Sequence, residues 1–223
     1  MENETTLLMV GAFLFIAACG GGESTTEETT TTEVTTGETS EAAMDTDMAP
    51  GSMLDLMHQN MQQMQDMTGK MTGDPDYDFA LLMEVHHKGA VEMAEEELAN
   101  GTDSQMKEMA QKTVDQQSKE MNELQAFINQ HKPTSGDTAT TMKMVHAMQN
   151  MMGEMHQDDR SARNTDQSFA QMMIQHHQMG LDMTKAYLSM GKDQQLKQEA
   201  QKTMDQQSKE IKELEAWLQE QPK

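Results

Sequence analysis

Two stretches of the chain, EVHHKGAVEM and IQHHQMGLDM, place adjacent histidines six residues before a methionine: His86, His87 and Met93, then His176, His177 and Met183. Imidazole binds several transition metals, and thioether sulfur is a soft donor that prefers Cu(I) to Zn(II), Mg(II) or Ca(II). His and Met without Cys therefore point to copper in an oxidising compartment, where thiolate ligands would risk disulfide formation. Thioethers are abundant, with 27 methionines in 223 residues, while only 4% of the chain is aromatic. Methionine is also a pliant filler of cores, so each such residue has a packing reading beside a ligand reading.

On a helix turning about 100° per residue, His86 and His87 straddle one face, with Met83 and Ala90 between them and Met93 close to His86. In the second stretch Met173 and Gly180 take the middle and Met183 sits beside His176. The candidate metal ligands are thus Met83, His86, His87, Met93, Met173, His176, His177 and Met183. Ala90 and Gly180, one turn after each pair, leave room for a close neighbour or a ligand. A lone histidine at such a place is usually the edge of an amphipathic core. Two adjacent pairs at the same place in a repeat favour function.

The element that positions them is a duplication with an offset of 90 residues. Ala110 to Phe127 (AQKTVDQQSKEMNELQAF) matches Ala200 to Trp217 (AQKTMDQQSKEIKELEAW) at 13 of 18 positions. Each unit reads as three helices: a Met-rich one at about 53–70 and 142–157, a His helix at about 76–99 and 166–190, and a third at about 103–131 and 192–220. Asp74-Pro75 suits a helix start, Asn100-Gly101 and Gly191 suit tight connections, and Pro133 and Gly136 break the chain between units. No alternating strand pattern occurs. The expected fold is all-α, two hairpins (76–131 and 166–220) packed with approximate two-fold symmetry into one four-helix bundle, with the Met-rich helices added to it.

The third helices carry an apolar seam, Ala110, Val114, Gln117, Met121, Leu124 and Ile128, repeated as Ala200, Met204, Gln207, Ile211, Leu214 and Leu218. Glutamine interrupts it twice at the same point. A buried amide needs partners, and an imidazole from the His helix is the natural one; a residue that sets helix register is the plainer reading. Glu120 and Glu210 lie one turn on, where each can orient a histidine from behind. In the Met-rich helices, Met53, Met57, Met61, Met64 and Met71, then Met142, Val145, Met148, Met152 and Met155, follow helical spacing. Such stripes are more often core than ligand, although His58, His146 and His156 lie among them.

These residues resemble the domain of unknown function 305 family. Asp76, Phe79, Met83, His86, His87 and Met93, followed by Gln117, Glu120 and Met121, carry the likeness, and Asp166, Phe169, Met173, His176, His177, Met183, Gln207, Glu210 and Ile211 carry it again. The resemblance implies a ferritin-like helical bundle, a bacterial envelope location, and copper binding and tolerance. The first unit departs from the family's pattern at Glu84 and Lys88, so the stronger site is expected at His176 and His177. A di-metal oxidase wants Glu-x-x-His on both hairpins. Glu84 and His87 supply it once, but Ile174 stands at the second place.

Residues Leu7 to Ala18 form an apolar run too short to span a bilayer and suited to a signal-peptide core. Ile16-Ala17-Ala18-Cys19 resembles a bacterial lipobox, which would make Cys19 a lipidated residue, although the leader opens with acids rather than a basic segment. The organisation expected is a signal peptide (1–18), a Thr/Glu/Gly-rich disordered tether (19–51), and helical repeats at 52–132 and 142–221. The formal charge of −22 argues against nucleic-acid binding and favours cations. No G-x-S-x-G and no glycine-rich phosphate loop is present, so a binding protein is expected rather than an enzyme. The function these features favour is an envelope copper-binding lipoprotein that buffers, sequesters or hands over Cu(I) or Cu(II). Its partners would be the metal ion, the membrane through the lipid, and a copper-handling protein or a second copy of the chain. The rival is a structural or partner-binding envelope protein whose methionines act as an oxidant sink.

Overall fold

The structure is a computed structural model that describes residues 52–149 and 162–221. The apolar leader, Cys19 and the tether lie outside these residues, as do Met152, Met155 and His156. Among the described residues there is no strand, and no helix is long and apolar enough to cross a membrane. The helices are α1 (Met53–Met67, extended by a 3-10 turn Thr68–Lys70), α2 (Pro75–Asn100), α3 (Ser104–Gln130), α4 (Thr138–Gln149), α5 (Thr165–Leu188) and α6 (Gln194–Glu220). The fold is an all-α bundle.

Each long helix starts where the sequence places a cap. Asp74 accepts from the Asp76 and Tyr77 amides at 3.1 and 3.4 Å, ahead of Pro75 in the first turn of α2. Asp103, Asn164 and Asp193 do the same for α3, α5 and α6, each cap contributing about 1 kcal/mol. Asp74 has a second duty. Its other oxygen takes the amide and hydroxyl of Thr134, both at 2.9 Å, and His131 Nε2–H at 3.1 Å, tying down the segment that joins the repeats. In that segment Gly136 lies backbone to backbone on Gly73, whose φ of +83° suits glycine. Helix α4 accordingly begins at Thr138, four residues before the sequence-based start.

The core is built from methionine where most bundles use leucine. Met53, Met57, Met61 and Met64 of α1 are buried against the bundle, and Met144 and Val145 of α4 join them. At about 1.5–3 kcal/mol per fully buried side chain, this stripe is a main reason why α1 docks at all. Asn60 breaks it to donate to the Val85 carbonyl at 2.6 Å. Gly89 provides the space, since a Cβ there would meet the Asn60 amide at 2.2 Å.

Two contacts reveal the symmetry. His86 stacks on His176, and the Gln206 amide donates to the Gln116 side chain, both between residues 90 apart in sequence. Equivalent residues of a two-fold repeat touch each other only on the axis. The axis therefore passes between α2 and α5 at the histidines and between α3 and α6 at the glutamines.

A crossed pair of carboxylates locks the repeats together. Asp76 of the first repeat accepts from the Lys192 and Asp193 amides, at 2.8 and 3.1 Å, in the turn before α6. Asp166 of the second accepts from the Thr102 and Asp103 amides, at 2.7 and 2.8 Å, in the turn before α3. Tyr187 adds its hydroxyl to Asp76 at 2.9 Å. Its counterpart in the first repeat is Glu97, fully buried, with its carboxyl against the Asp166 carboxylate and no N–H or hydroxyl donor on either oxygen. Burial first, then the Asp166 carboxylate, pushes the Glu97 carboxyl up to about 8. Glu97 does for Asp166 what Tyr187 does for Asp76 only while it holds its proton.

The two turn glycines serve these same residues. Neither is needed for a left-handed backbone. A Cβ on Gly101 would lie 2.0 Å from Glu97 Oε1, and one on Gly191 would lie 2.4 Å from the Tyr187 ring.

Candidate functional site

Helices α2 and α5 meet at the axis, and their histidines form one cluster. The rings of His86 and His176 stack with centroids 3.8 Å apart and planes inclined by 30°. His86 Nε2–H donates to the His176 carbonyl at 2.9 Å, which leaves Nδ1 as the lone-pair nitrogen of that ring. All four imidazoles are at most 1% exposed. Burial first, then repulsion from the neighbouring rings, holds His86 down to about 3 and His176 well below the ordinary value. Both are neutral at physiological pH, the state in which imidazole binds metals.

The second histidine of each pair turns away from the axis, toward a glutamate on the third helix of its own repeat. His87 Nε2–H donates to Glu120 Oε2 at 2.7 Å. His177 Nε2 lies 3.1 Å from Glu210 Oε2, out of line for a hydrogen bond. Burial raises the Glu210 carboxyl, but His177, Gln206 and Lys112 outweigh it and leave the group below the usual carboxylate range. Glu120 and Glu210 thus stand where the sequence places them, behind the imidazoles.

What remains is a set of bare nitrogens. His86 Nδ1, His87 Nδ1, and both ring nitrogens of His176 and of His177 are buried without a hydrogen-bond partner. Unpartnered buried polar atoms are uncommon, because each costs about 1–3 kcal/mol. Six in one cluster call for a ligand or for stored cost. The amides beside them do not fill the gap: Gln117 Oε1 and Gln207 Nε2 are also unpartnered. The Gln–imidazole bond expected from the seam is absent. Nor is there ligand space beside Gly180. A Cβ there would sit 2.7 Å from His86 Cε1 and 2.8 Å from Gln207 Oε1, so the glycine makes room for the other repeat's histidine.

Met83, Met93, Met173 and Met183 are buried on the same two helices as the histidines. Among the described residues no three His, Cys, Asp or Glu side chains converge as a metal-ligand set. A metal ion here would draw on imidazole lone pairs completed by thioethers, a donor set that fits a soft or borderline ion. The Met-rich helices offer less. Their methionines Met53, Met57, Met61 and Met64 face the core while His58 and His146 face solvent, so the two donor types are on opposite sides.

Sequence reasoning missed the roles of Asp76, Asp166, Glu97 and Tyr187. The recurrence of Asp at the offset was visible, but a first-turn acid reads as a complement to its own helix dipole. Nothing local shows it capping a turn in the other repeat.

A model of the family described as Domain of unknown function (DUF305) matches residues 22–128 and, a second time, residues 127–218. No curated protein and no solved structure matches the chain.

Proposed function

We propose, for a chain that belongs to the DUF305 family in both of its halves, that the buried histidine cluster binds copper, and that the protein buffers, sequesters or hands over the ion in the cell envelope as a lipoprotein anchored through Cys19. The observation that carries this reading is the set of four buried imidazoles that leave six ring nitrogens without partners. Cu(I) is the form best suited to imidazole and thioether donors in a site shielded from water. Bound there, the ion would be held by His86, His87, His176 and His177 with thioethers drawn from Met83, Met93, Met173 and Met183. Glu120 and Glu210 would fix the orientation of the outer imidazoles. The acidic surface would raise the local concentration of cations.

A second reading has its own support. The His86–His176 stack lies on the symmetry axis and is a structural joint in its own right. On that reading the protein is a Met-rich envelope component that binds a partner or absorbs oxidant.

An anaerobic Cu(I) titration of the full chain against a competing chromophoric chelator separates the two. The binding reading expects competition that weakens at least tenfold when His87 and His177 are both changed to Gln, with helical content retained. Tight binding that survives this change and the further change of His86 and His176 to Gln would move the site elsewhere. Failure to compete would leave the structural reading.

A further inference from the structure

His87 and His177 are equally buried, but the glutamates that hold them do not meet solvent in the same way. Beside Glu120, a groove of about 430 Å³ runs between α3 and α6, floored by Phe79 and Met83. At the symmetry-related place, against His177, Glu210, Phe169 and Met173, only about 10 Å³ remains, while in the open half Glu120 stands between the groove and His87. Glu120 is 24% exposed and Glu210 only 5%.

The difference traces to side chains on the rim. Lys112 of α3 reaches across to Glu210, Nζ to Oε1 3.2 Å, and covers it. Its counterpart on α6 is Lys202, which would cover Glu120 if the symmetry held. Lys202 is instead held by Glu199 on its own helix at 2.8 Å. In the first repeat the residue matching Glu199 is Met109, which has no charge to hold Lys112 back. Thr203 follows suit by donating to Glu120 at 3.3 Å, whereas its counterpart Thr113 donates to the Met109 carbonyl.

Resting on the metal-binding reading for its ligand but not for its geometry, we propose that the α3–α6 groove is the solvent route to Glu120 and, through it, to His87, that Lys112 shuts the route through Glu210 to His177, and that the Met109/Glu199 difference decides which route is open. The ligand admitted is a soft cation such as Cu(I) or Ag(I). The groove wall suits a cation, because Glu120, Glu123, Asp193 and Glu199 outnumber Lys119 and Lys202. Closeness to the family pattern favours His176 and His177 as the stronger site; access favours His87 as the first one reached.

The test begins on the full chain without metal, by timing carbethoxylation with diethyl pyrocarbonate and locating each modified histidine by tandem mass spectrometry. His87 is expected to react several-fold faster than His177. Lys112→Ala and Met109→Glu should each speed His177, and Glu199→Met should slow His87. Lys112 and Glu199 lie on the surface and Met109 packs on the margin of the core, so circular dichroism checks that each variant keeps its helical content. Equal rates in the natural chain, or rates that ignore all three substitutions, would overturn the proposal. One equivalent of Cu(I) added before labelling should then protect His87 before His177. If the rim substitutions behave as expected and copper protects neither histidine, the access route stands and the metal reading alone fails.

Discussion

His87 with Glu120 and His177 with Glu210 are the same pair of residues made twice, yet one stands at the edge of a groove and the other is shut in. What lies on the axis has stayed alike: His86 with His176 and Gln116 with Gln206 are the same residue types at the offset of 90. Residues away from it have been free to diverge, as Met109 against Glu199 and Glu97 against Tyr187 show. A residue that must pack on its own symmetry mate cannot change alone. A residue at the rim can, and there a single charge redirects a lysine.

The sharpest way to break the symmetry is through the crossed carboxylates. Asp76→Ala strips the Tyr187 hydroxyl and the Lys192 and Asp193 amides of their acceptor, and should cost about 3 kcal/mol or more in denaturant unfolding. A loss under 1 kcal/mol would mean that water replaces the carboxylate. Gly180→Ala comes next. The new methyl falls on His86 and Gln207, and overpacking of this kind costs about 1–3 kcal/mol. At the matching place Ala90→Gly removes a buried methyl on top of the helix-propensity loss of about 1 kcal/mol.

Glu97→Gln is expected to have an effect set by pH. The folded-state carboxyl titrates at about 8, against 4.5 as the ordinary value, among Asp166, Asp103 and Lys107. Between those values the unfolded chain has released this proton and the folded chain retains it, so the stability Glu97 contributes is lost as pH rises from about 4.5 to 8. An amide donates to Asp166 at every pH. The variant should match the natural chain near pH 4 and exceed its stability at pH 8. His86 acts in the opposite sense, its folded value of about 3 removing stability as pH falls from about 6.5 toward 3. Lys112→Ala should matter least to stability, under about 1 kcal/mol, because the lysine is 45% exposed. Its consequence is for access to His177.

Much of this was legible in the sequence because it is periodic. Duplication and helix spacing, with Asp74-Pro75 as a start and glycines at the turns, divided each unit into three helices and set Glu120 and Glu210 one turn beyond the seam glutamines. Spacing alone could not tell whether the His helices meet or stand on matching sides. That depends on packing across the axis, where Gly180 admits His86. The turn glycines were read as backbone devices, when Gly101 and Gly191 in fact make space for Glu97 and Tyr187. The crossed aspartates were unreadable for a related reason, since each one's partners lie in the other repeat, as when Asp76 holds Lys192 and Asp193.

The central claim, that imidazoles and thioethers from the two His helices hold copper together, is tested most directly by X-ray absorption at the copper edge of the full chain loaded anaerobically with one equivalent of Cu(I). The account expects imidazole multiple scattering together with a sulfur shell, and loss of the imidazole signal when His86, His87, His176 and His177 are changed to Gln. A spectrum of oxygen donors alone, or one unchanged by those substitutions, would contradict it and place any bound copper on the acidic surface or the Met-rich helices.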